Sequence, residues 1–294
     1  MRILIVSPKF PFPATGACEQ DRLSAIEWFL KNGHEVRVVS KVRSTEAGEA
    51  AVAFGLDCGI KIVPILYKYH AYEFLKILGR ILRPWYLDGA AFEYTDPEMH
   101  KALEKELNDF MPDVVWFEYT YLWPLYFVVK RYKRNLSVSK SIKIITRSLN
   151  FEPLHFLEED GKSFVNILKS IPKFLSEIIV CVLSDVVFAI TPKEVKLYKI
   201  LGASVDVLPL RALPKKLLFE PKYLDRTPLN VFFSGSAYTV HHNLSALEFL
   251  LKDVVPLADK GFHGKFRFHI FGAKVPEHLL SFFGADVVEM GYVP

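Results

Sequence analysis

The chain of 294 residues has no CxxC pair. Its three cysteines, Cys18, Cys58 and Cys181, stand far apart. That spacing excludes a zinc ribbon or a thioredoxin-type motif and fits free thiols in a reducing cytoplasm. A GxGxxG stretch is also missing, which counts against a dinucleotide oxidoreductase or a sugar-nucleotide epimerase. No uncharged apolar run reaches the roughly 18–20 residues needed to span a bilayer. The nearest, IIVCVLS from Ile178 to Ser184, is bracketed by Glu177 and Asp185. No secretory segment is visible: MRILIVS is followed at once by Pro8 and Lys9 and reads as a first strand. Charge of one sign is scarce, since 37 basic and 33 acidic residues leave +4. So mild an excess does not argue for nucleic acid, but it is compatible with an anionic partner or an acidic membrane surface. There is no internal repeat and no low-complexity tract.

What is present is a globular composition, 51% hydrophobic and 24% charged, in a chain long enough for two domains. Short Val- and Ile-rich runs recur: RILIVS (Arg2–Ser7), EVRVVS (Glu35–Ser40), KIVPIL (Lys61–Leu66), DVVWFEY (Asp113–Tyr119), SIKIITRS (Ser141–Ser148), DVVFAIT (Asp185–Thr191) and SVDVLPL (Ser204–Leu210). Helical patterns separate them. Leu23, Ile26 and Leu30 mark one, which stops at Gly33. Asp96-Pro97 opens another, with Met99, Leu103, Leu107 and Phe110 on its apolar face. Thr191, Pro192 and Glu194 open a third in capping-box spacing. Strands apolar on both faces and joined by helices predict an α/β fold with a doubly wound parallel sheet. The spacing predicts domains at 1–211 and 229–294, joined by a basic, Pro-containing linker at 212–228. The second begins with LNVFFSGS, a helix opening at Asn243 as its cap, and KFRFHIFGA.

Two nucleotide-binding-style units in tandem resemble the GT-B glycosyltransferases, and most of all their family 4 of retaining, nucleotide-sugar-dependent enzymes. Four stretches carry the likeness and span nearly the whole chain. The first holds Gly33, His34, Glu35 and Val36 before the second strand, although Gly16 is followed by Ala17 where the family has a second glycine. The second is IITRSLNFEPLHF, where Leu149 stands in place of the family's histidine while Asn150 and Glu152 remain. The third runs from Ser176 to Leu210, and the fourth is FFSGSAYTVHHNLSALEFL (Phe232–Leu250) with FRFHIFGA and VVEMGYV. The resemblance implies two Rossmann-like sheets of GT-B type. It implies a nucleotide-diphosphate sugar as donor, a saccharide or lipid-linked acceptor, and no cofactor or metal. The family's second domain runs on to a Gly-rich loop and two spaced glutamates. Neither is found here, so the donor domain is expected to be incomplete and the chain alone to have little transferase activity.

Candidate site residues follow from position as well as resemblance. Gly16 and Ala17 lie in the loop between the first strand and a helix N-terminus, where open α/β sheets bind ligands and free N–H groups attract anions; an ordinary turn is the alternative. Ser234, Gly235 and Ser236, with His241 and His242, occupy the equivalent place in the second unit and are the other donor-phosphate candidates. Adjacent histidines with no third ligand make a poor metal site. Glu118, Arg147, Asn150 and Glu152 end neighbouring strands and are acceptor-side candidates. Arg147 is suited to a bidentate phosphate contact, or else to loop capping. The aromatic and basic stretch Tyr67–Gly89 suggests a peripheral membrane contact or a helix packed on the sheet. Family likeness also leaves open a non-catalytic subunit completed by a partner chain, as a homo- or hetero-oligomer.

Overall fold

Runs that are apolar on both sides become parallel strands, because a strand covered by helices above and below has no polar face. In a computed structural model describing residues 1–14, 16–68, 88–135, 141–211 and 227–292, seven such runs form one sheet. They are β1 (Arg2–Ser7), β2 (Glu35–Val42), β3 (Lys61–Leu66), β4 (Val114–Phe117), β5 (Lys143–Arg147), β6 (Val186–Ala189) and β7 (Val205–Val207). All pairs are parallel and the order is β3-β2-β1-β4-β5-β6-β7. Alternate residues feed opposite faces: Leu4 and Val6 join one buried cluster, Ile3 and Ile5 the other. Most of the Tyr67–Gly89 stretch and of the 212–228 linker lies outside the described residues. The chain divides into two compact units, Met1–His155 with Ser163–Leu213, and Phe156–Lys162 with Pro214–Pro294.

Local signals place the helices of the first unit. α1 (Ala17–Lys31) and α2 (Thr45–Cys58) follow β1 and β2, with the Ser44 hydroxyl capping α2. α3 (Gly89–Tyr94) leads into α4 (Pro97–Phe110), where the Asp96 carboxylate accepts the Met99 N–H at 3.0 Å. Met99, Leu103, Leu107 and Phe110 are buried in the register that the sequence shows. A 3-10 turn at Thr120–Leu125 runs into α5 (Tyr126–Asn135). α6 (Glu152–Asp160) begins in this unit, and α7 (Phe164–Leu183) and α8 (Pro192–Ile200) complete it, α8 through a full capping box between Thr191 and Glu194.

One helix differs from the expectation, and another, for which the sequence predicts no particular face, has an unusual buried face. α1 opens at Ala17, and its buried face is Asp21, Arg22, Ala25, Ile26 and Phe29, with Leu23 and Leu30 half-buried. Two charged residues are therefore turned inward. α7 buries polar residues beside Val180 and Cys181. Its buried residues include Ser170, Ser176 and Glu177, while Phe164, Ile167, Leu168, Ile171, Leu175 and Val182 form an outward apolar stripe at helical spacing. Ser176 explains part of this arrangement: it accepts the Trp123 indole N–H and donates to Asp88, both at 2.9 Å.

In the second unit, β8 (Leu229–Ala237), β9 (Phe266–Ala273) and β10 (Val287–Gly291) form a parallel sheet in the order β10-β9-β8. α9 (His241–Phe249) continues through a π turn at Leu250–Val254 into α10 (Val255–Phe262). Leu247, Leu251, Phe268 and Ile270 make its core. Asn243 is not the helix cap. α9 begins two residues earlier, after Val240, and the Asn243 amide turns back to donate to the Ala237 carbonyl at 3.1 Å. Nor do Ser234, Gly235 and Ser236 form a turn: they belong to β8 itself, where the pairing register shifts between Ser234 and Ala237.

Candidate functional site

The strand order reverses direction between β1 and β4, and ligands of open α/β sheets bind beyond the carboxyl ends of strands at such a point. Four elements converge there in the first unit. β1 runs into the loop that ends at Gly16, Glu118 directly follows β4, β5 ends at Arg147, and the segment after β7 carries Leu208 to Arg211.

Charge dominates this edge. Asp21 is fully buried. It accepts the Arg211 backbone N–H at 2.5 Å and its side chain at 2.6 and 3.1 Å, and lies 3.7 Å from Arg147. Glu118, 1% exposed, takes the Trp116 indole N–H at 2.9 Å and the Arg211 guanidinium at 3.2 and 3.3 Å. Burial alone would raise the Asp21 carboxyl, but the Arg211 hydrogen bonds and charge hold it below its ordinary value. Burial pulls the Arg211 guanidinium down, and Glu118 and Asp21 together lift it above its ordinary value. Arg147, paired more loosely, stays lowered by burial.

The predicted residues fall into distinct places. Gly16 is the residue before α1, with an ordinary extended φ of −123° and no side-chain cap. Ala17 is the exposed first residue of the helix. Glu19, in the first turn, brings its carboxylate to this end of the helix and accepts its own backbone N–H. Arg147 does not present a free fork. Its two terminal nitrogens donate to the Leu208 and Pro209 carbonyls, so the pair that a bidentate phosphate contact requires is already engaged. Asn150 is half-buried, and its carbonyl accepts the Ser148 hydroxyl at 2.8 Å. Glu152 opens α6, and its N–H donates to the buried Glu177 at 3.2 Å. Glu118 and Arg147 are thus brought together through Arg211 and Asp21, while Asn150 and Glu152 belong to a separate network around Glu177.

In the second unit, Ser234 is exposed, as are His241 and His242 at the start of α9. Gly235 is a packing requirement: a Cβ there would lie 2.7 Å from the Tyr238 ring, whose hydroxyl donates to the Phe271 carbonyl. Sequence reasoning missed Asp21, Arg22, Arg211 and Glu177. No local spacing signals them, because Asp21 and Arg211 are 190 residues apart.

No protein-family model matches the chain, and no curated protein matches it. Solved structures do. The chain is similar to the apo form of the lipopolysaccharide outer core galactosyltransferase WaaB, with 13% identity and a TM-score of 0.56 over 100% of this chain and 68% of that one. It is similar to Arabidopsis thaliana UGT89C1 complexed with UDP-L-rhamnose, with 12% identity and a TM-score of 0.54 over 99% and 70%. UGT89C1 complexed with quercetin gives 14% and 0.53 over 99% and 69%. With its parallel seven-stranded sheet and second parallel sheet, the chain has the α/β architecture of GT-B type.

Proposed function

We propose that the protein is a retaining glycosyltransferase of glycan or lipid-linked saccharide synthesis, working in the cytoplasm. It moves a sugar from a nucleotide diphosphate to an acceptor hydroxyl. The observation that carries this reading is the GT-B-type fold with a charged edge at the strand-order switch point of its first unit. The family resemblance of the sequence supports the retaining outcome. The departing diphosphate needs positive potential in a water-poor site. Gly16 and Ala17 at the start of α1 would supply it with N–H groups and a helix dipole. Ser234, Gly235, Ser236, His241 and His242 are the candidates in the second unit. Glu118, Asn150 and Glu152 stand on the acceptor side. Helix ends and basic side chains take the place of a metal. Thermal shift against a panel of nucleoside diphosphates tests the donor half: at least one should raise Tm, and a panel without effect counts against the reading. NMR of the product's anomeric configuration tests retention, which inversion would disprove.

The lipid-borne form of the acceptor is supported by α7. Its apolar stripe runs about 30 Å at 1.5 Å per residue, and contiguous apolar surface of that extent marks an interaction site. The only charged residues of the helix itself are Lys169, Lys173 and Glu177, and Lys173 lies 3.8 Å from Asp88, so apolar area rather than charge is the attractive force. The protein should therefore sediment with neutral phosphatidylcholine vesicles nearly independently of salt. I171K should abolish sedimentation and leave Tm within a few degrees. Binding that needs anionic lipid, or survives I171K, contradicts this. Among the described residues no helix is long and apolar enough to cross a membrane.

A second reading, a non-catalytic binding subunit completed by a partner chain, is favoured by one feature of the second unit. Phe232 is 67% exposed and stacks on His269 at 5.2 Å, on a parallel sheet of a kind normally covered on both faces. A clean monomer in light scattering would remove it.

A further inference from the structure

Arg22 is 5% exposed, yet among the described residues it has no hydrogen-bond or ion-pair partner, and its Nε is buried and unpartnered. The other cations of this edge are matched: Lys9 by Glu19, and Arg147 and Arg211 by Asp21 and Glu118. Among the described residues Arg22 is the cation of this edge without a hydrogen bond or ion pair. Its guanidinium lies 5.4 Å from the centre of the Tyr119 ring. Tyr119 stacks on Tyr121 at 4.5 Å, and Tyr121 on Tyr94 at 5.2 Å. A ring face offsets only part of the cost of desolvating a cation. The neighbouring hydroxyls cannot supply the missing negative charge. Burial pushes Tyr121 well above its ordinary value and raises Tyr94, against the opposing charge of Arg22. Neither of these two hydroxyls has a hydrogen-bond partner among the described residues, so both are left as donors.

We propose that Arg22, with the Tyr94 and Tyr121 hydroxyls, recognises an anionic group, phosphate or carboxylate, on the acceptor substrate. This rests on the glycosyl-transfer reading and narrows it: the acceptor is an acidic or phosphorylated saccharide rather than a neutral one. A guanidinium that no carboxylate bonds among the described residues is completed when such a ligand arrives. Its pairing in a desolvated setting gives discrimination that a solvent-exposed lysine would not.

Calorimetry of the full chain with glucose 6-phosphate, glucuronate and methyl glucoside tests the proposal. At least one charged sugar should bind ten-fold or more tighter than the neutral one, and the comparison of the two assigns phosphate or carboxylate. R22Q should erase that preference without lowering Tm, because it removes an uncompensated buried charge. R22K, which keeps the charge but not the planar fork, should retain part of it. Nucleoside diphosphate binding should be the same in the wild type and R22Q. Equal affinity for charged and neutral sugars, with nucleoside diphosphate still bound, overturns the proposal while leaving sugar transfer intact. UDP competing with glucose 6-phosphate would move the anion to the donor and likewise overturn it. If neither sugars nor nucleoside diphosphates bind, both readings fall together.

Discussion

Replacing Asp21 by alanine should lower the free energy of unfolding by about 3–5 kcal/mol, the range for removing one partner of a buried ion pair. The carboxylate accepts three hydrogen bonds from Arg211 and lies beside the fully buried Arg147. Without it, two guanidiniums remain in the protein interior, and among the described residues only Glu118 keeps an ion pair with Arg211. The loss is therefore mostly the cost of stranded charge rather than the worth of the contacts removed. D21N should be nearly as damaging: it keeps the shape but replaces one acceptor oxygen with an NH2 group facing arginine donors. Urea denaturation measures both. In the double variant D21A/R211M the costs should be strongly non-additive, because the second change removes one of the charges that the first exposed. The pH dependence has a definite sign. The Asp21 carboxyl lies below its ordinary value of 3.8 in the folded chain. Its contribution is present above that pH and disappears as pH falls through the lower folded value. Acid unfolding of the wild type should be steeper there than that of D21A. A variant as stable as the wild type at pH 7 would show that this cluster is solvated in solution.

Much of the fold was legible because it is written locally. Parallel strands buried on both faces must be near-continuous Val and Ile runs, so RILIVS, DVVWFEY and DVVFAIT mark β1, β4 and β6. Asp96 before Pro97, and Thr191 before Glu194, satisfy orphan N–H groups within three residues, and both caps form. The charged site is different. Apolar periodicity assigns every charged helical residue to solvent; Asp21 escapes that rule through Arg211, far along the chain, and Arg22 by lying against the Tyr119 ring. α7 shows the same limit from another side: a two-faced helix announces that its faces differ, but which one turns inward depends on Trp123, Asp88 and Thr120 reaching Ser176 and Glu177. Asn243 failed for a smaller reason. It sits where a cap might stand, yet its amide finds the Ala237 carbonyl from inside the first turn. Of the candidate residues, Glu118 was visible as the end of a strand. Its real role, a shared acceptor for Trp116 and Arg211, required the tertiary structure.

Glu177 gives the second large effect, and it runs in the opposite pH direction. The side chain is fully buried. Its Oε1 accepts the Thr120 hydroxyl at 2.9 Å and the Glu152 N–H at 3.2 Å, and the Tyr198 hydroxyl bonds Oε2 at 2.7 Å. No cation pairs with it among the described residues. Burial pushes the carboxyl up to about 8, against hydrogen bonds from Tyr198 and Thr120 that pull it back only in part. The unfolded chain ionises near the ordinary 4.5 while the folded chain stays protonated. Stability is therefore undiminished below pH 4.5 and lost as pH rises towards 8, by about 1.4 kcal/mol per pH unit at most. Glutamine copies the protonated form. Its carbonyl can accept from Thr120 and Glu152, and its NH2 can donate to Tyr198, whose own proton then turns to Ser148 at 2.8 Å. E177Q should match the wild type at pH 5 and exceed it by several kcal/mol at pH 9 in chemical denaturation. E177A, which strands three donors, should be weaker than the wild type at pH 5 by about 1–3 kcal/mol for each donor left buried and unpaired, with the gap narrowing as pH rises. Because Glu152 opens α6 on this carboxylate, amide exchange at Glu152 should also become independent of Glu177 ionisation in E177Q. Parallel stability curves for the wild type and E177Q from pH 5 to 9 would mean that the carboxyl is already ionised at neutral pH, with water or a cation reaching it.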